Sequence, residues 1–73
     1  MFYEIDNIGY ESTSIKPVIK KAMKQAKRKY NRNKEFTNHC VVSIGIYDTW
    51  RDFRGLILVS YGSNGYFFTG NYR

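Results

Sequence analysis

Apolar side chains recur at every third or fourth position between residues 14 and 33, which is the spacing of one face of an α-helix. At 100° per residue they fall within an arc of roughly 140°. Hydroxyl side chains precede this segment and can accept the free N–H groups of a first helical turn. The sequence therefore predicts one amphipathic helix over residues 14–33, with an apolar stripe made of Ile15, Val18, Ile19, Ala22, Met23, Ala26 and Tyr30.

An isolated helix of this length is marginal in water, so the apolar stripe needs a partner. Period-two patterns and β-rich composition predict strands over residues 2–10, 39–48, 56–61 and 66–72, with a hairpin turn at residues 62–65. The prediction is an α+β fold: a single β-α-β-β-β domain over residues 1–73, in which one amphipathic helix packs on an antiparallel three- to four-stranded sheet.

The alternation within residues 39–48 assigns two faces to that strand. Cys40, Val42, Ile44 and Ile46 share an apolar face, which we expect to pack against the helix. Aromatic side chains on the other face of the sheet can stack on unpaired bases or simply exclude water. We expect Tyr47, Tyr61 and Phe67 on that other face, and the sequence leaves both roles open.

The charge pattern is the strongest indication of function. The chain carries a net charge of +6, and nine of its twelve Lys and Arg residues lie between Glu11 and Glu35 without any acidic residue among them. A helix selected only for solubility gains about 0.2–0.5 kcal/mol from each i,i+4 Glu–Lys pair, and this helix has none. Alternatively, Lys and Arg serve only as good helix formers. We expect a polyanionic partner, either nucleic acid or an acidic protein surface, at Lys20, Lys21, Lys24, Lys27, Arg28 and Arg32.

A second candidate contact cluster lies in the connection formed by residues 48–55. Trp50, Arg51 and Arg54 are in this segment, and Trp and Arg dominate the energetics of many binding interfaces. Trp50 has an equally good alternative, which is to fold down as a lid on the core.

The sequence offers little for catalysis or metal binding. His39 and Cys40 are adjacent on a predicted strand, so their side chains point to opposite faces and cannot form a nucleophile–base pair. One Cys and one His cannot build a Cys/His zinc cage. Asp48 and Asp52 are more typical of turns than of a cation site. We expect no catalytic residue, metal or cofactor.

Other features bear on location and assembly. The longest apolar run, residues 56–59, is far too short to span a bilayer, so no membrane partner is expected. A lone cysteine and the lack of a cationic-then-apolar leader predict a reducing, cytoplasmic location. An exposed edge strand at residues 2–10 or 66–72 would give a homodimer.

Three functions fit these observations. The first is a non-catalytic binding module that contacts the RNA or DNA backbone through the cationic helix face. The second is a bacteriophage or mobile-element inhibitor of a host nuclease, defence complex or polymerase; 34 of the 73 residues are of types encoded by AT-rich codons, which suits such a source. The third is a small toxin-type ribonuclease using His39, Arg51, Arg54 and a tyrosine, although no motif matches that class residue by residue.

Overall fold

The sheet and its helix are seen in a computed structural model that describes residues 1–72, with side chains described as far as residue 70. Arg73, the last residue of the predicted domain, lies outside the described residues. Five strands form one antiparallel sheet in the order β2-β1-β3-β4-β5, and the helix packs across β3 and β4. The α+β prediction is thereby confirmed. The elements are β1 (Phe2–Ile5), β2 (Ile8–Glu11), α1 (Lys16–Asn33), β3 (His39–Tyr47), β4 (Phe53–Gly62) and β5 (Gly65–Tyr72).

The single first strand predicted over residues 2–10 is wrong, because the chain reverses within it. β1 and β2 pair as a tight hairpin in which Ile5 lies opposite Ile8. The two turn residues, Asp6 and Asn7, have φ angles of 49° and 68°. Asp and Asn tolerate this left-handed conformation better than other residues with side chains. The sheet therefore has five strands instead of three or four, and the element order is β-β-α-β-β-β.

The helix begins two residues later than predicted and ends at Asn33 as predicted. The backbone N–H of Lys16 donates to Oγ of Ser14 at 3.3 Å, so a hydroxyl does serve the first turn. Oγ of Ser12 in turn donates to the carbonyl of Ser14 at 2.7 Å. Pro17 lies in the first turn, where its missing N–H leaves no partner unsatisfied.

The core lies between α1 and the sheet. Val18, Ala22 and Ala26 are buried on the helix, and the two alanines let its backbone approach the strands closely. Ile15, Ile19 and Met23 are partly buried at the margins of the core. The predicted helix-facing set on β3 is buried except at Cys40, which is half-buried. The buried strand residues are Tyr3, Ile5, Val42, Ile44, Ile46, Ile57 and Val59.

β4 begins three residues earlier than predicted. The pairing with β3 shifts by one residue, since Ile46 lies opposite Gly55 whereas Tyr47 lies opposite Phe53. Arg54 is the extra residue of this bulge. Gly55 has a φ of 155°, which L side chains rarely adopt. The predicted connection over residues 48–55 therefore shortens to five residues, 48–52.

Candidate functional site

The outer surface of α1 carries an exposed row of cations, Lys16, Lys20, Lys24 and Arg28, which we call the basic ridge. These residues are four positions apart, so they stand one above another on the helix. The row rises about 18 Å, a length over which duplex DNA presents roughly ten phosphate charges. Within residues 1–72, no ion pair involves any member of the ridge. The ridge is therefore a run of positive charge without acidic partners in the described part of the chain.

Two further lysines flank the ridge, one on each side. Nζ of Lys21 lies 5.2 Å from the ring centroid of Tyr10 on β2, and Nζ of Lys27 lies 5.8 Å from that of Tyr61 on β4. Cation–π contacts at exposed sites contribute about 0.5–1 kcal/mol. Both lysines remain exposed. The aromatic rings thus hold these cations beside the ridge without neutralising them.

A carboxylate reaches the helix at the β1–β2 turn. Oδ1 of Asp6 lies 3.7 Å from Nζ of Lys29, and both side chains are about half exposed. Arg28 and Arg32 border the same site, forming with this pair and Gln25 an open notch of about 280 Å³. The notch extends the positive surface from the ridge towards the turn. Asp6 partly neutralises it, which sequence patterns missed because the contact depends on the unpredicted turn.

The second predicted cluster is largely engaged within the chain. Nη2 of Arg54 donates to Oδ2 of Asp48 at 2.9 Å and lies 3.1 Å from Oδ2 of Asp52. The hydrogen bond to Asp48 and the charges of both carboxylates raise the pKa of Arg54. Arg51 is exposed. The guanidinium of Arg54 therefore binds both aspartates and closes the loop that carries them. Separately, no three His, Cys, Asp or Glu side chains in residues 1–72 are placed so that they could hold a metal ion.

Trp50 belongs to an aromatic cluster made of Phe2, Tyr47, Trp50 and Phe53. The ring centroid of Trp50 lies 5.0 Å from that of Phe2 and 5.5 Å from that of Tyr47. Alternation along β1 and β3 places Phe2 and Tyr47 on the sheet face away from α1, which we call the open face. Trp50 is 50% exposed there. It covers the open face instead of forming a lid on the core beneath α1.

The hydroxyl of Tyr47 meets a carboxylate under this cluster. It donates to Oε1 of Glu4, on the neighbouring strand β1, at 3.4 Å. Removal from water raises the pKa of Tyr47, and the charge of Glu4 and this hydrogen bond raise it further. The pair is therefore a partly buried hydrogen bond in which the phenol is the donor.

The other two predicted open-face aromatics have different outcomes. Phe67 lies on the open face, is 65% exposed and borders a polar hollow of about 590 Å³ with His39 and Asn64. Tyr61 does not lie there. Its ring packs edge-to-face against Tyr30 of α1 at 5.4 Å, so it belongs to the helix side of the sheet.

The candidate ribonuclease residues are not brought together. His39 begins β3 and Tyr47 ends it, a separation of about 27 Å at 3.4 Å per residue. Arg51 follows the Tyr47 end, and Arg54 is fixed beside it by two aspartates. His39 instead pairs with Gly62 at the opposite end of the sheet. These residues form no shared site for one phosphate.

The nine predicted contact residues thus divide between two regions, six on α1 and three at the loop end of the open face. No helix among the described residues is long and apolar enough to cross a membrane. Comparison with family models, curated proteins and solved structures gave no match.

Proposed function

We propose that this protein is a non-catalytic binding module that contacts the backbone of RNA or DNA through the basic ridge. The observation that carries the proposal is the segregation of charge: among residues 1–72 the ridge has no acidic partner, while Asp6, Asp48 and Asp52 are paired elsewhere. Phosphates bound along the ridge would displace condensed counterions, and that release drives sequence-independent binding.

The ridge also has an energetic reason to accept a polyanion. Like charges at i,i+4 destabilise a helix by a few tenths of a kcal/mol per pair, and this helix carries four such pairs in succession, from Lys16 to Arg32. A row of phosphates along the helix converts each repulsion into two attractions. Lys21 and Lys27 widen the contact on either side of the row, and Arg32 extends it by one further helical turn.

The test is charge reversal with a matched control. Replacing Lys20, Lys24, Lys27 and Arg28 with Glu should abolish binding and lower the thermal midpoint by only a few degrees, because all four side chains are exposed and the lost contact of Lys27 with Tyr61 is weak. The pair Lys20→Glu/Lys24→Glu should weaken binding far more than Lys34→Glu/Arg51→Glu, which changes the net charge equally off the ridge. With four ridge phosphates neutralised, the slope of log K against log salt should be about −3 to −4. Binding that survives the fourfold reversal or ignores salt contradicts the proposal.

A second candidate function has its own supporting observation. The open face exposes Trp50, Phe53, Leu56 and Phe67 by 40–65%. Trp50 and Phe53 both contact the ring of Tyr47, and an exposed aromatic cluster of this kind is typical of a protein-binding site. A phage or mobile-element inhibitor would use this face together with the ridge against an acidic groove that normally holds nucleic acid. A pull-down from nuclease-treated host lysate separates the two functions. One stoichiometric protein, lost on Trp50→Ala, supports inhibition; no captured protein supports direct nucleic-acid binding.

A further inference from the structure

The strand β5 is the long free edge of the sheet. It pairs with β4 along its whole length, from Gly65 to Tyr72, without a shift in register. In the described residues no strand lies on its other side. Every second residue of such a strand directs its N–H and C=O groups away from the sheet, where another strand can bind them.

The protections usual for an edge strand are missing from the described part of β5. Natural edges are shortened, bulged, or given charges and proline to prevent pairing. β2, the other edge, has only four residues and ends in the charged Glu11. β5 has eight residues, and no charged residue or proline occurs from residue 55 to residue 72. Phe67 and Phe68 on this strand are 65% and 47% exposed.

We propose that β5 pairs antiparallel with β5 of a second copy of this chain, giving a dimer with a continuous ten-stranded sheet. The absence of charged residues from β5 permits a second copy to approach this edge. Two molecules of net charge +6 repel each other when their basic surfaces come together. Residues 55–72 carry no charge, so the two molecules can approach with the least repulsion along this segment. The contact is self-complementary, because antiparallel pairing of identical strands is the isologous arrangement of a two-fold dimer.

Side chains on both faces take part. Neighbouring strands place opposing Cβ atoms about 4.5–5.5 Å apart on each face. Phe67 and Thr69 therefore meet their counterparts on the open face, and Tyr66 and Phe68 do so on the helix side. On the helix side an open apolar groove of about 380 Å³, lined by Ile19, Ile57 and Phe68, runs beside β5. Partner side chains next to Phe68 would cover it.

The symmetry has a consequence for the proposed function, and this step rests on that function. A two-fold axis perpendicular to the sheet leaves both copies of α1 on the same side. The two basic ridges then face the same way on one platform. One nucleic acid can contact both, so the dimer binds with a steeper salt dependence than a single ridge gives.

The dimer is tested without nucleic acid by sedimentation equilibrium of the full chain. Concentrations from roughly 1 to 500 µM bracket the dissociation constants expected of a small interface. We expect the mass to rise towards twice 8.6 kDa. Thr69→Lys puts a charge into the β5 contact of each copy and should keep the protein monomeric. Thr13→Lys, the same change at an exposed residue before α1, should dimerise as the parent does.

Three results overturn the dimer: a monomeric parent at every concentration, a dimer that persists in Thr69→Lys, or equal loss of dimer in both variants. A nucleic-acid titration gives a separate readout. Thr69→Lys should weaken binding although it adds a positive charge, whereas Thr13→Lys should not. If the parent dimerises but binds no nucleic acid, the pairing stands and only the proposed function fails.

Discussion

The indole of Trp50 lies directly over the backbone of Gly9. A Cβ placed on Gly9 would stand 2.6 Å from Cη2 of Trp50 and 2.8 Å from Cζ2, closer than side-chain carbons approach one another. Glycine at this position thus lets the loop after β3 close onto β2, which is distant in sequence. The contact between Trp50 and Gly9 therefore joins the loop of residues 48–52 to the short edge strand β2.

Gly9→Ala should push the indole off the sheet. We expect the free energy of unfolding to fall by about 0.5–1.5 kcal/mol, since the half-exposed indole can move aside at the cost of its contacts with Phe2 and Tyr47, and the tryptophan emission to shift towards that of an indole in water. Urea unfolding and fluorescence measure the two effects. In the background Trp50→Ala, the same change should cost less than about 0.5 kcal/mol; equal costs in both backgrounds would show that Gly9 is needed for another reason.

Asp6→Asn should tighten nucleic-acid binding. It frees Lys29 and removes the carboxylate from the notch beside Arg28 and Arg32, while Asn tolerates the positive φ of this turn. We expect a several-fold gain in affinity and a salt slope steeper by about one unit. Asp52→Asn makes the same change of charge in the loop and should leave the affinity unchanged; equal gains would mean that net charge alone decides binding.

The phenol of Tyr47 should ionise at higher pH than an exposed tyrosine. Its pKa is raised above 10.0 by removal from water and by Glu4, so the folded protein holds this proton more tightly than the unfolded chain. The resulting stability is constant below pH 10 and is lost as pH rises through the raised pKa. Absorbance titration should show a late-ionising component that loses one tyrosine in Tyr47→Phe. Glu4→Gln should lower its pKa; an unchanged titration curve would refute the role of Glu4.

Ala22→Leu should destabilise the protein without altering the ridge. Ala22 is completely buried where α1 meets the sheet, so three added carbon atoms must displace the helix. We expect a loss of about 1–3 kcal/mol in the free energy of unfolding. Gln25→Leu, at a half-buried position on the same helix, is the control and should cost much less. A neutral effect of Ala22→Leu would mean that the helix packs less closely than the structure shows.

The parts of this fold that follow local rules were predictable from sequence. The apolar residues from Ile15 to Tyr30 keep a spacing of three or four positions over four helical turns, which is the pattern of an α-helix and not of a strand. The β1–β2 hairpin was not predictable from the same rules, because its turn is Asp6-Asn7 with no glycine between two short apolar stretches. The early start of β4 escaped prediction for a related reason: the bulge at Arg54 interrupts the alternation that marks a strand.

The candidate site also has a part that was predictable from sequence and a part that was not. The exposed cations of α1 follow from helical geometry alone. Which of them lack partners depends on contacts made across the fold, such as Lys29 with Asp6, and on the pairing of Arg54 within its loop. Tyr61 was assigned to the wrong face because residues 56–61 are apolar at both odd and even positions, so alternation does not say which set faces the helix.

The basic ridge lies on the helix face, whereas Asp48 and Asp52 of the loop are balanced by Arg51 and Arg54, so the net positive charge of the molecule is concentrated on the helix face. A particle of this kind turns in the field of a polyanion before it touches it. Orientation then precedes collision, and more encounters begin with the helix facing its target. Added salt should therefore slow association more than it hastens dissociation, a kinetic asymmetry that a uniformly charged protein of the same net charge would not show.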